Sequence, residues 1–375
     1  MRSFARLNRS HQRRPGERVI HVVTPYGRQG PSSRVRIFEW LERTSAVWTL
    51  SSYISESNSS PSTLGRHPIA VLSAERRLRR TAAQRPQRLL LHREASPLSR
   101  GGLERRLLRS SEFAVYDFDD ALQWDWGDGP AFRRLAPKAP KAHIAVRHAD
   151  RVIAGNPVLA EWASAFSRDV VVIPSCVSPA SYRPKRDYDV GDPPRLVWIG
   201  SADNESYLDG VASALREVHR RTGGRLTLIS TTERTLGDLE AIIDRLPWSE
   251  SAQHTKLGEF DLGLAPLPDE PYTRGKCGYK LLQYAAAGLP VIGSPIGVNE
   301  RILAELGMPA PTTEGEWVDA IIDLLSRSTA ARAELGRHGR KLMQLRYSYD
   351  AWLAQWEEAV GGANSLAPVP VDVSL

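Results

Sequence analysis

Arg274, Lys276 and Lys280 crowd around Gly275 and Gly278 in the stretch TRGKCGYK. Cations on a glycine turn that opens a helix suit a phosphate, because backbone N–H groups and ammoniums then point the same way. A solvated basic surface would show the same composition. The flanking residues say what positions the turn. DLGLAPL reads as a buried strand, KLLQYAAAG as a helix closed by Gly288, and PVIGSP as the next strand. Gly297, Val298, Asn299 and Glu300 form the following strand-end loop. Such loops, at the carboxyl ends of parallel strands, are where open α/β sheets bind ligands. Glu300 has a second reading, as a carboxylate favoured by the macrodipole at a helix start.

The first half of the chain offers a second set. Gly27, Gly30, Ser33, Arg34 and Arg36 line the loop after the strand VIHVVT, without the G-x-G-x-x-G fingerprint of dinucleotide sites. Arg36 can equally be an exposed helix residue. Asp117, Asp119 and Asp120 end the strand of VYDFDD. They read as a metal-binding D-x-D, as carboxylates that orient or deprotonate an acceptor hydroxyl, or as a structural turn. Trp124 and Trp126 offer indole faces for a sugar, or packing. His92, Arg93 and Glu94 sit at another strand end. His143 and His148 lack neighbours that would complete a metal set.

These residues need elements to hold them. At 375 residues the chain exceeds one ordinary core, and two domains are expected. Strands alternate with helices in both halves, which implies two parallel sheets. The spans read as a disordered basic N-terminus (1–18), a first α/β domain (19–180), a linker (181–194), a second α/β domain (195–348) and a tail (361–375). Residues 51–65, rich in serine, read as a loop, and Tyr207 to Thr222 as one helix. Apolar content of 41% and charged content of 25% are those of a soluble globular chain. Two cysteines, Cys176 and Cys277, point to a reducing compartment. No run reads as a membrane span, and the apolar run after the basic N-terminus has strand length, against a signal peptide. Residues 1–150 hold 27 Lys+Arg against 14 Asp+Glu, a net of +13, while the remainder is net −6. With no aromatic-interleaved basic motif, nucleic acid is not the expected partner. Attraction to anionic lipid, or plain arginine abundance, fits better.

The segment RGKCGYKLLQYAAAGLPVIGSPIGVN resembles RGKCGFKLIQYMACGLPVVASPVGVN, a form often seen in the donor region of GT-B glycosyltransferases of family 4. HREASPL resembles the family's QREALPL, and VYDFDDAL its VYDIDDAL. ADRVIAGNPVLAEWA, VVVIPSCVSPASYRP and WIGS follow in the family's order, so the resemblance spans roughly residues 19–360. It implies the GT-B fold, two Rossmann-like domains facing across a cleft, with the final helix (349–360) packing back on the first. It implies a nucleotide-sugar donor, a hydroxyl acceptor, usual retention of configuration, and no metal or other cofactor. Lys276 and Lys280, helped by Arg274 and the backbone at Gly278, would then neutralise the departing diphosphate. Gly200 and Ser201 would border it after the WIGS strand, and Gly30 and Arg34 would meet the donor diphosphate or the acceptor. Asp119 and Asp120 would face the acceptor.

The family's pair of glutamates falls here on Gly275 and Gln283, so Gln283 is left to reach a ribose hydroxyl. The basic residue usual after the WIGS strand has no clear counterpart in SADNESY. These departures keep a non-catalytic GT-B scaffold open, beside another GT-B enzyme such as a nucleotide-sugar epimerase. The expected acceptor is a saccharide, lipid-linked saccharide or metabolite. The expected setting is cytoplasmic, with peripheral contact at the inner membrane face.

Overall fold

A computed structural model describes residues 19–56, 58–126, 134, 136–231 and 235–361. The expectations for residues 1–18 and for the tail beyond 361 lie outside them. The chain divides into two compact units. One runs to Ile173 and resumes at Trp352; the other is Pro174–Ala351.

The first unit is built on a parallel sheet of β1 (Val19–Tyr26), β2 (Val47–Ile54), β3 (Arg88–His92), β4 (Phe113–Phe118), β5 (Arg151–Ala154) and β6 (Val170–Val172). Their order is β2-β1-β3-β4-β5-β6, every pair parallel. LLL in β3 and VIA in β5 are wholly buried, as expected of strands covered on both faces. The chain leaves β1 toward β2 and then crosses to β3 on the other side. The crevice at the carboxyl ends of β1 and β3 is therefore the topological switch point.

The second unit holds β7 (Arg195–Ile199), β8 (Arg225–Ser230), β9 (Ile243–Pro247), β10 (Leu262–Ala265) and β11 (Val291–Gly293), parallel in the order β11-β10-β7-β8-β9. Here the switch point lies between β7 and β10. The core gathers Trp198 and Leu264 on one side of the sheet and Leu281, Leu282 and Tyr284 on the other. The Tyr284 hydroxyl accepts from Ile199 N at 2.9 Å and donates to Leu264 O at 3.1 Å, pinning the helix Tyr279–Ala286 across β7 and β10.

The alternating α/β pattern of the sequence is the architecture observed, while two local expectations fail and one strand went unread. The serine-rich stretch is not all loop. β2 runs to Ile54, with Ser52 bonded to Thr24 at 2.9 Å, and Pro61–Arg66 is a helix capped by Ser60. Serine side chains on a half-exposed strand mimic loop composition. Residues 202–211 form a 3₁₀ helix before the α-helix Ala212–Thr222. The edge strand β9, half polar and ending in proline, gives no apolar run to read.

The segment from Trp352 onward closes the first unit. Trp356 stacks on Trp40, ring centroids 5.5 Å apart and planes 7° from parallel, and Thr44 donates to Glu357 at 2.6 Å. Both indoles are fully buried. Trp356→Ala should lower the first unit's stability by about 3–5 kcal/mol, the range for emptying a buried tryptophan site. Differential scanning calorimetry should show an earlier transition.

Candidate functional site

The second unit's site begins where β10 stops. Leu267 N donates to Ser294 Oγ at 3.0 Å, tying this loop to the one after β11. The short helix Pro271–Arg274 is opened by a capping box between Glu270 and Thr273. A Cβ on Gly297 would lie 2.2 Å from Arg274 O, and Gly297 has φ +59°, so only glycine lets the two loops touch there. Gly278, at φ +65°, starts the helix Tyr279–Ala286, and its Cβ would meet Asn299 Oδ1 at 3.0 Å and Ile302 at 2.7 Å. The starts of the 279–286 helix and of the helix Val298–Leu306 are thereby set side by side. Neither has a side-chain cap. Two helix starts and their partial positive charge converge at the carboxyl ends of β10 and β11.

Lys280 sits in this corner. Its Nζ lies 5.0 Å from the centre of a Trp198 ring, in β7 beside the switch point. Among the described residues no carboxylate or hydrogen-bond acceptor partners it. Burial, and then repulsion from Lys276, push its pKa from 10.5 to about 7. Lys276 Nζ lies 5.1 Å from the Tyr272 ring and 5.8 Å from Tyr207. Two buried polar atoms, Asn299 Oδ1 and Trp198 Nε1, lack hydrogen-bond partners. The aromatic face attracts the Lys280 ammonium without neutralising it.

Other candidates are placed differently. Arg274 is exposed and bonded twice to Asp269, at 2.6 and 3.0 Å. Gln283 is buried, its Nε2 donating to Gln253 at 3.1 Å and to the Tyr182 hydroxyl at 3.3 Å. Gly200 follows β7, and a Cβ there would strike the Trp198 indole at 2.3 Å. Ser201 is exposed and accepts from Asn204 at 2.9 Å. Val298 is half-buried, and Glu300 is exposed in the first turn of its helix. Sequence reasoning did not reach Trp198 as the platform of Lys280, because 82 positions separate them in the numbering.

In the first unit, Gly30 begins a helical segment that includes a π turn at Arg34–Phe38. All five residues of the turn are buried. Arg36 is thus not an exposed helix residue. Its guanidinium bonds Asp117 at 3.2 and 2.5 Å and the Ile173 carbonyl at 2.7 Å. His92 Nδ1 lies 2.8 Å from Asp117 Oδ1, while His92 Nε2 is buried without a partner. Burial alone would raise the Asp117 pKa, but Arg36 and the His92 hydrogen bond hold it below 3.8.

Asp119 and Asp120 are both bound by Arg93, Asp119 at 2.8 Å. Arg93 itself has a left-handed φ of 59° at the end of β3, a backbone strain that surrounding contacts must hold. Glu94 pairs with buried Lys141 at 2.5 Å. Among the described residues no three His, Cys, Asp or Glu side chains gather as a metal would require. Trp124 and Trp126 are 54% and 55% exposed.

No protein-family profile matches the chain, and no curated protein sequence matches it. Solved structures do. WaaG, a glycosyltransferase involved in lipopolysaccharide biosynthesis, aligns over 92% of this chain and 100% of its own, with TM-score 0.63 and 13% identity. Anabaena HepE in complex with UDP and glucose aligns over 92% and 100%, with TM-score 0.62 and 13% identity. A UDP-forming α,α-trehalose-phosphate synthase from Burkholderia xenovorans aligns over 93% and 100%, with TM-score 0.61 and 12% identity. The chain has the fold of the GT-B glycosyltransferases.

The buried ion pair of the first unit makes a prediction. Asp117→Asn leaves Arg36 charged and badly matched, and should destabilise by about 3–5 kcal/mol at neutral pH. Because the folded pKa is depressed, the wild-type advantage is full above the usual carboxylate value and is lost as pH falls through the folded one. Urea unfolding at neutral and acidic pH should show the gap between the two proteins narrowing in acid.

Proposed function

We propose that the chain is a glycosyltransferase that moves a sugar from a nucleotide-sugar donor to a hydroxyl acceptor. The observation that carries this reading is Lys280: a desolvated, unpaired ammonium beside two uncapped helix starts. A diphosphate leaving group gains negative charge as the bond from its oxygen to the anomeric carbon breaks. Preorganised positive charge stabilises that transition state. Lys280 and Lys276 would supply the charge, with the backbone at Gly278 and Asn299 completing the cradle. Arg274 would join only by giving up Asp269. Gly200 and Ser201 would border the nucleotide, with Val298 and Glu300 toward the sugar.

In the first unit, the strand ends carrying Gly30, Arg34, Asp119 and Asp120 would take the acceptor. Its oxygen forms the new glycosidic bond as the anomeric carbon parts from the diphosphate, and its proton passes to the departing diphosphate oxygen. Asp119 and Asp120, held by Arg93, would orient that hydroxyl. Membership of family 4, retention of configuration and independence from metal ions belong to this reading. So do a cytoplasmic setting and a saccharide or lipid-linked acceptor presented at an anionic membrane face, supported by the basic first half of the chain. HepE binds UDP and the trehalose-phosphate synthase is UDP-forming, so a UDP-sugar is the first donor to test.

A second reading, a donor-binding subunit without turnover, is favoured by one observation. Gln283, expected to reach the ribose, is already engaged by Gln253 and Tyr182.

Lys280 titrates near 7 in the free protein. Below that pH it is charged before a diphosphate arrives. Above it, binding must take up a proton, so affinity should fall by up to about tenfold per pH unit. Lys280→Met should weaken binding more than about tenfold and abolish the slope. It should also stabilise the free protein, since no ammonium is then buried. Calorimetric titration with UDP from pH 6 to 9 reads the affinities, and an unchanged slope in the variant removes Lys280 from the site. Transfer from a UDP-sugar should persist in EDTA. Loss restored by manganese would contradict the metal-free mechanism.

A further inference from the structure

The helices Pro68–Ala83 and Gly102–Ser110 of the first unit pack against each other, and their outward residues have no role in the site described. Ala74, Leu78, Thr81 and Ala82 bury one face of the longer helix. Helical spacing puts Ile69, Leu72, Arg76 and Arg80 on the opposite face. Ile69 is 82% exposed and Leu72 57% exposed. Leu98, leading into the shorter helix, is 56% exposed.

On the shorter helix, Gly102, Arg105, Arg106 and Arg109 recur at the spacing of one stripe. They line a surface hollow of about 550 Å³ whose other walls are Arg85 and Ser110. No acid lines it. Among the described residues none of Arg76, Arg80, Arg85, Arg105, Arg106 and Arg109 is paired with a carboxylate. The positive field there is felt nearby: burial first, then repulsion from Arg109, Arg105 and Arg147, push the His148 pKa down. A helix C-terminus accounts for a cation in the last turn, as at Arg80 and Arg109. It does not account for Arg76, Arg105 or Arg106.

Unpaired like charges collected on one surface repel one another unless an anion sits among them. Exposed large aliphatics beside basic residues are the mark of a helix lying in a lipid interface. We infer that this helix pair docks the chain on an anionic bilayer, with Ile69 and Leu72 inserting at the headgroup boundary and the arginine hollow holding lipid phosphate. Nucleic acid would satisfy the arginines but not the exposed aliphatics. The inference rests on the reading that the acceptor is presented at a membrane, and it names the surface that would bring the chain there.

The test is cosedimentation of the full chain with vesicles of phosphatidylcholine alone or mixed with phosphatidylglycerol. Binding should require the anionic lipid and fall steeply with salt. Each arginine at such a surface contributes about fivefold in affinity, so R105Q/R106Q/R109Q should weaken binding about a hundredfold. I69Q/L72Q should weaken it at high salt, where the apolar term remains. UDP binding should be unchanged in both variants, which shows them folded and separates this inference from the donor site. Excess inorganic phosphate should not release the protein at constant ionic strength, whereas release would mean a free-phosphate site. Failure of the wild type to bind anionic vesicles overturns the inference. So does undiminished binding of the triple arginine variant, which would assign docking to another segment such as the arginine-rich first 18 residues. Arginine-dependent capture of DNA without vesicle binding also overturns it.

Discussion

Gly297 has room for only a hydrogen where the carbonyl of Arg274 approaches it, and the site of the second unit depends on that contact. Any side chain there would push the loop after β10 away from the loop after β11. The two helix starts would separate, and half-buried Lys280 would lose the corner that holds it. With the contact in place, the ammonium is held over Trp198 with no acid to neutralise it. Burying an unpaired charge is costly, which is why its pKa falls toward neutrality. A buried structural lysine finds an acceptor, as Lys185 does in the Phe260 carbonyl at 2.6 Å. This one is poised to become fully charged when an anion arrives.

The first unit solves a related problem with the opposite device. Its strand ends also converge at a switch point, but there the buried charges are satisfied. Arg36 reaches Asp117 from the π turn after β1, and His92 reaches it from β3. The triad ties the loop that contains Gly30 and Arg34 to the end of β4. Arg93, forced into a left-handed conformation, then binds both Asp119 and Asp120. One unit is thus braced by matched ions, while in the other the Lys280 ammonium meets an aromatic face and no carboxylate among the described residues.

Much of the fold was legible because strands covered on both faces must be continuous apolar runs. VIHVVT, RLLL and PVIG could not be mistaken for polar helices. The glycines that punctuate the site were equally clear, since Gly278 and Gly297 both occupy left-handed positions. What the sequence hid were consequences of distant contacts. Exposure stayed open as a reading of Arg36 because a helical wheel has no term for Asp117, 81 positions away. Gln283 looked available because Gln253 and Tyr182 join it only in the folded unit. Lys280 was read at the start of a helix, where it lies, yet its seat over an indole depends on β7. The serine-rich β2 and the half-polar β9 were invisible to any rule that seeks apolar runs.

The central claim is that the corner between β7, β10 and β11 holds the diphosphate of a nucleotide. The most direct test is the melting temperature of the full chain with UDP, GDP, ADP and TDP, each titrated without added metal. A ligand that binds only the native state raises that temperature by mass action. The account predicts a saturable rise with one nucleotide, and no rise with its nucleoside. A cooperative transition that none of the four diphosphates moves would contradict it.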